Sequence, residues 1–161
     1  MKRYGFFILI IFACLFLQLL FSHQLNPLRI KPDFLLIAVI FLNFYVDFKE
    51  AAGIGFLAGF LKDSFSAGIF GANIFAFLVC IVILAQYQRY IYREDLYLKV
   101  ILVFLISLLS GFLNYFIALS RISAPFISSF FWVIFPESLY TTLVSPLVFW
   151  IMRRCAKKYS I

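Results

Sequence analysis

Residues 51–71 read AAGIGFLAGFLKDSFSAGIFG, and this stretch stands out from an otherwise almost uniformly apolar chain. It holds five of the seven glycines and the adjacent charges of Lys62 and Asp63. One set of residues recurs every four positions: Ala51, Gly55, Gly59 and Asp63. Because an α-helix brings residues at this spacing onto one face, the stretch predicts a helix whose narrow face of small residues ends in a carboxylate.

A face of small residues is typical of helices that pack closely inside a membrane. Lipid tails supply no hydrophobic drive for association, so van der Waals contact between closely approaching backbones must stabilise the pair. The partner of this helix-packing stripe is either another helix of the same chain or a different protein, including a second copy. Because Gly55-x-x-x-Gly59 is a common and weakly specific motif, packing within the chain is the favoured interpretation.

The composition of the rest of the chain indicates an integral membrane protein. Of 161 residues, 65% are hydrophobic, 23 are Phe and only 13% are charged. The longest weakly apolar interval, residues 22–33, is far shorter than the roughly 50 residues that an independently folding domain needs. We therefore predict a single polytopic domain over residues 1–161, all-α in class.

The length suits a bundle of six membrane-spanning helices, with five as the alternative. A bilayer core about 30 Å thick takes roughly 20 apolar residues per helix. Lys and Arg on alternate connections divide ten to four, and because the richer side includes both ends of the chain, both termini are expected in the cytoplasm. The predicted spans are 5–22, 32–47, 50–66, 72–88, 99–119 and 127–151.

The net charge of +7 is explained by basic residues that flank the predicted spans, so nucleic acid binding is not required. Cys14 and Cys80 fall within spans and Cys155 follows the last one, which predicts free thiols. No ligand spacing typical of a metal site is present, and no cofactor is expected. We expect one group of basic residues, the basic tail, to face anionic lipid: Arg153, Arg154, Lys157 and Lys158.

Several polar residues are predicted at one depth in the membrane. At a rise of 1.5 Å per residue, Asp63 lies about 20 Å from the cytoplasmic edge, and counting along other spans places further polar residues at a similar height. One interpretation is an outward-facing polar cluster or shallow pocket, because buried charges seek partners. The other is that the acids mark outer helix ends. The predicted cluster comprises Asp33, Lys62, Asp63, Asn73, Asn114 and Glu137, and the other available cations are Arg29, Lys31 and Arg121.

The order of these segments resembles the MreD family of bacterial rod shape-determining membrane proteins. The similarity rests on PDFLL at 32–36, GFLAGFLKD at 55–63, and Gly68, Gly71 and Asn73 before the next span. It is strongest over residues 32–73 and weak in the first span and over residues 87–134. Lys62 departs from the pattern, since an apolar residue is expected immediately before the aspartate.

The resemblance implies a non-enzymatic component of the wall-elongation machinery in the bacterial cytoplasmic membrane. Its implied partner is the bitopic protein MreC, with MreB, RodA and a class B penicillin-binding protein in the same complex. The implied function is control of lateral peptidoglycan synthesis and rod shape. The implied fold is similar to that of the substrate-binding subunits of energy-coupling-factor transporters.

Two other classes of function fit the sequence less well. A vitamin-binding transporter subunit commonly docks its partner through an Ala-x-x-x-Ala face on the first span, and residues 5–18 offer no such face. An intramembrane enzyme requires an activated nucleophile, whereas Ser64, Ser66 and Ser110 have no evident base. A carboxylate pair of Asp63 and Glu137 lacks a Gly-x-Gly-Asp-like pattern, so the sequence favours a scaffold.

Overall fold

The computed structural model describes residues 2–24, 31–66, 69–87, 96–118 and 130–158, and every regular element in these ranges is helical. The predicted all-α class is therefore confirmed. A π-helical segment, Phe130–Ile134, leads directly into the last helix. The six α-helices of these ranges are α1 (Lys2–Gln24), α2 (Phe34–Asn43), α3 (Phe48–Phe65), α4 (Ala72–Tyr87), α5 (Leu96–Ala118) and α6 (Phe135–Lys158).

The short helix α2 forms the centre of the bundle. All ten of its residues are buried, with no more than 4% of any of them exposed. It contacts each of the other five helices. At 1.5 Å per residue it is about 15 Å long, roughly half the thickness of a bilayer core. The helix is thus shorter than the predicted span of 32–47, and its burial is that of a core helix.

Local hydrogen bonds determine where α2 begins and ends. The Asp33 side chain accepts a hydrogen bond from the Leu36 backbone N–H at 3.2 Å, which caps the first turn. At the other end, the Tyr45 backbone N–H donates to the Leu42 carbonyl at 2.9 Å and tightens the last turn. The chain then turns through residues 44–47 into α3, slightly earlier than the predicted connection at 47–50.

The helix-packing stripe of α3 lies against α4. Ala51, Gly55, Gly59 and Asp63 are all buried. A Cβ added at Gly59 would lie 2.6 Å from Ile74 Cα, and one added at Gly55 would collide with the Ile81 side chain. The absence of side chains at these two glycines therefore allows the backbones of α3 and α4 to approach closely.

Helix α6 continues through Pro146 and beyond the predicted end at residue 151. A proline cannot donate to the carbonyl four residues earlier, which here belongs to Thr142. The Ser145 hydroxyl donates to that carbonyl at 2.8 Å instead, so the helix is maintained. Consequently the basic tail, predicted to follow the last span, forms the final turns of α6.

The outer surface of the bundle is strongly apolar. Two helical segments, Tyr97–Ile117 and Phe131–Arg154, are long and apolar enough to cross a membrane, and three shorter apolar helices accompany them. Large side chains such as Phe16, Leu143 and Trp132 are 62%, 76% and 77% exposed. Exposure of this kind on several helices is typical of contact with lipid.

Candidate functional site

The predicted polar residues lie at one end of the bundle because consecutive helices run in opposite directions. The N-terminal ends of α2, α4 and α6 and the C-terminal ends of α3 and α5 meet there. Side-chain contacts join Asp33 to Lys62, Asp63 to Asn73, and Asn73 to Asn114. Five helices thus contribute to one polar cluster, with Glu137 of α6 as its remaining member.

Asp33 and Lys62 form a buried ion pair between α2 and α3. Their side chains are 7% and 17% exposed, respectively. The Asp33 backbone N–H also donates to Thr141 Oγ1 at 3.1 Å, which ties α2 to α6. The Lys62 ammonium lies 5.2 Å from the centroid of the Phe77 ring, within reach of a cation–π interaction. Lys62, which departs from the family pattern, therefore compensates the charge of Asp33.

Asp63 binds the N-terminal end of α4. Its carboxylate accepts backbone hydrogen bonds from Gly71 at 2.9 Å and from Asn73 and Ile74 at 3.2 Å. The side-chain amide of Asn73 adds a fourth bond at 2.8 Å. The first N–H groups of a helix have no partner within it, and its N-terminal end attracts negative charge. Asp63 satisfies both requirements, so its carboxylate fastens the end of α3 to the start of α4.

Asn114 connects α4 to α5. Its side-chain amide donates to Asn73 Oδ1 at 3.3 Å and to the Ser110 carbonyl at 3.0 Å. Because Asn73 also donates to Asp63, the three side chains form a continuous chain of hydrogen bonds across α3, α4 and α5. This chain holds the C-terminal part of α5 beside the α3–α4 connection.

The cluster surrounds a cavity of about 470 Å³, which we call the polar cavity. This volume lies within the range of about 300–1,000 Å³ that is typical of small-molecule sites. Within the described ranges, no donor forms a hydrogen bond with the Glu137 carboxylate, although that residue lines the cavity. The polar lining of the cavity comprises Asp33, Lys62, Ser66, Asn73, Ser107, Ser110, Asn114, Tyr115 and Glu137.

Sequence reasoning missed the small hydroxyl residues of α6. Ser138, Thr141 and Ser145 are completely buried, and Thr141 bonds directly to α2. Their spacing of three and four residues places them on one helix face, where small side chains allow close packing. This spacing in the sequence indicates a buried helix face of small residues, as the spacing of the glycines does in α3.

Other predicted residues lie away from the cluster. The guanidinium of Arg154 is 4.2 Å from the centroid of the Trp150 ring, and Arg153 is exposed. Both are near the C-terminal end of α6, opposite to the polar cavity. The side chains of Lys157 and Lys158, together with the candidate cations Arg29 and Arg121, fall outside the part that the structure describes.

Comparison with known proteins gives a family for the whole bundle. A family model described as rod shape-determining protein MreD matches residues 1–158, which include all six helices and the polar cavity. No curated protein and no solved structure matches the chain. The family is a bacterial membrane protein family with a role in rod shape determination. Because the match covers nearly the whole sequence, this chain belongs to the MreD family.

Proposed function

We propose that this protein is a non-enzymatic component of the bacterial cell-wall elongation complex that binds MreC and helps to control lateral peptidoglycan synthesis. The family match over residues 1–158 carries this proposal, because the family belongs to the rod-shape complex. MreC binds to apolar helix faces and short connections of the bundle. MreB, RodA and a class B penicillin-binding protein belong to the same assembly, and self-association is a further use of these faces.

The proposed topology has six spans with both termini in the cytoplasm. The ten-to-four distribution of Lys and Arg supports this orientation. The buried helix α2 crosses the membrane with the help of its flanking residues, and the polar cavity then opens on the outer side. A fluorescent protein fused after Ile161 should fluoresce, and alkaline phosphatase fused there should be inactive. An active phosphatase fusion would contradict the orientation.

Binding to MreC is tested by copurification of affinity-tagged protein in mild detergent from its native bacterium. The proposal predicts recovery of MreC at a level above that obtained with an unrelated polytopic membrane protein carrying the same tag. Exchange of exposed apolar residues on one helix at a time then locates the contact. Recovery of MreC no better than with the unrelated protein would overturn the proposed partner.

The rival function is a vitamin-binding subunit of an energy-coupling-factor transporter. The volume of the polar cavity, about 470 Å³, is the observation that favours it. The same copurification distinguishes the two functions, since a transporter subunit should recover ATPase subunits. Recovery of ATPases without MreC would support the transporter; recovery of MreC without ATPases supports the elongation complex.

A further inference from the structure

The polar cavity contains hydrogen-bond acceptors that no described donor satisfies. The Asn114 amide uses its two N–H groups on Asn73 and on the Ser110 carbonyl. Its carbonyl oxygen receives no hydrogen bond from the described residues, and neither does the Glu137 carboxylate. Both residues line the cavity. A ligand complementary to this lining would donate hydrogen bonds.

The distribution of charge around the cavity favours a cation. Lys62 forms its direct ion pair with Asp33. The Asp63 carboxylate is engaged by the N-terminal end of α4. Lys62 also interacts electrostatically with Glu137, so its single positive charge is shared by two carboxylates. Glu137 interacts with Lys31 as well, but Lys31 is exposed, and solvent weakens such an interaction. A partly buried carboxylate inside a membrane bundle is stabilised by a partner of opposite charge.

The rest of the lining suits a ligand with an apolar part. Aliphatic surface is contributed by Ile69, Val133 and Ile134. On the α5 side, the lining includes Ser107 and Ser110, which are buried and carry hydroxyl groups. Ile134 approaches α5 closely at Gly111, where an added Cβ would lie 2.7 Å from Ile134 Cγ2. The cavity wall is therefore closely packed where the π-helical segment before α6 meets α5.

We propose that the polar cavity binds a small organic cation that carries N–H donors, an alkylammonium or amidinium group, with Glu137 as its counter-ion. The group donates to the Glu137 carboxylate and to Asn114 Oδ1, and its apolar part lies against Ile69, Val133 and Ile134. Its source is either a free small molecule or the ammonium headgroup of an ethanolamine lipid. This inference rests on the cavity and not on the choice of protein partner.

The test uses three probes of similar shape: benzamidine, which is cationic, benzamide, which is neutral, and benzoate, which is anionic. The full chain is reconstituted in nanodiscs of phosphatidylcholine and phosphatidylglycerol, and binding is measured by calorimetry and by the shift in Tm. Benzamidine should bind, and a ligand that binds only the folded protein raises Tm increasingly as its concentration exceeds Kd. Glu137→Gln should weaken benzamidine roughly tenfold or more, as the loss of a charge-assisted hydrogen bond predicts. The matched control, Asp47→Asn, removes one carboxylate at the other end of α3 and should bind like the native protein.

Equal binding of the three probes, or undiminished benzamidine binding by a folded Glu137→Gln protein, would overturn the proposal. If the Glu137→Gln variant fails to fold, the comparison of the three probes on the native protein still tests the proposal. Nanodiscs that contain phosphatidylethanolamine identify the source: weaker benzamidine binding there indicates a lipid headgroup, and unchanged binding indicates a free cation. Loss of MreC recovery would refute the proposed partner and leave this result intact.

Discussion

The Asp63 carboxylate holds Asn73 by two hydrogen bonds, one from the backbone N–H at 3.2 Å and one from the side-chain amide at 2.8 Å. Asp63 lies in the last turn of α3 and Asn73 in the first turn of α4. Asn73 in turn accepts a hydrogen bond from Asn114 of α5. This relationship therefore orients three helices at the polar end of the bundle.

Asp63→Asn should destabilise the fold. The variant replaces one carboxylate oxygen by an NH₂ group, which cannot accept the hydrogen bonds from α4, and it removes the negative charge near the start of that helix. We expect a loss of about 1–3 kcal/mol in the free energy of unfolding, measured by SDS titration in mixed micelles. The control is Asp47→Asn, because Asp47 is exposed and its side chain caps no helix. Similar losses for the two variants would contradict the assigned role of Asp63.

Lys62→Met should destabilise the protein strongly because it leaves the buried Asp33 carboxylate without its counter-ion. Breaking a buried pair costs about 3–5 kcal/mol. The second change Asp33→Asn should restore more than half of the loss, since Asn removes the unpaired charge and still caps α2. A double-mutant cycle in the same micelle assay measures this coupling. Additive effects of the two changes would refute the ion pair.

Gly59→Ala and Gly53→Ala should have opposite effects although both lie in α3. A Cβ at Gly59 meets the backbone of Ile74, whereas a Cβ at Gly53 meets nothing within 4 Å. Overpacking predicts a loss of about 1–3 kcal/mol for the first variant. The second should gain up to about 1 kcal/mol from the better helix propensity of Ala. The yield of monodisperse protein and the free energy of unfolding provide the measurements, and equal effects would exclude the close packing of α3 on α4.

Ser145→Ala should lower stability by about 0.5–1.5 kcal/mol, because the Thr142 carbonyl loses the hydroxyl that replaces the missing donor of Pro146. Adding Pro146→Ala supplies a backbone N–H for that carbonyl and should recover the loss. The single change Pro146→Ala provides the reference for the cycle. If Ser145→Ala is as harmful in the Pro146→Ala background as in the native protein, the hydroxyl does not have this role.

Sequence periodicity predicted the helix face that α3 buries, because small residues four apart permit only one arrangement on a helix. It left open which helix covers that face, since a common Gly-x-x-x-Gly motif carries no information about its partner. The structure places α4 there. The sequence also did not indicate where α2 ends. Phe44 and Val46, which follow the helix, are apolar and buried, so the hydropathy of the sequence does not fall at the end of the helix.

Counting residues along the predicted spans indicated that the polar side chains of the cluster share one level, and the structure brings them together at one end of the bundle. The counting left open how they pair, because neighbouring residues on a helix point in different directions. Lys62 reaches Asp33 on α2, whereas Asp63 reaches the backbone of α4. Thr141 was missed because its contribution is a hydroxyl contact to the Asp33 backbone, which neither charge nor hydropathy reveals.

Membership of the MreD family gives this protein a role in rod shape determination. The most direct measurement is depletion of the protein in its native bacterium, followed by microscopy of cell width and length, with the native gene restored from a second locus as the control. If the protein has this role, depleted cells widen and become round, and restoration returns them to rods. Cells that keep their normal width and length after the protein has disappeared would contradict it.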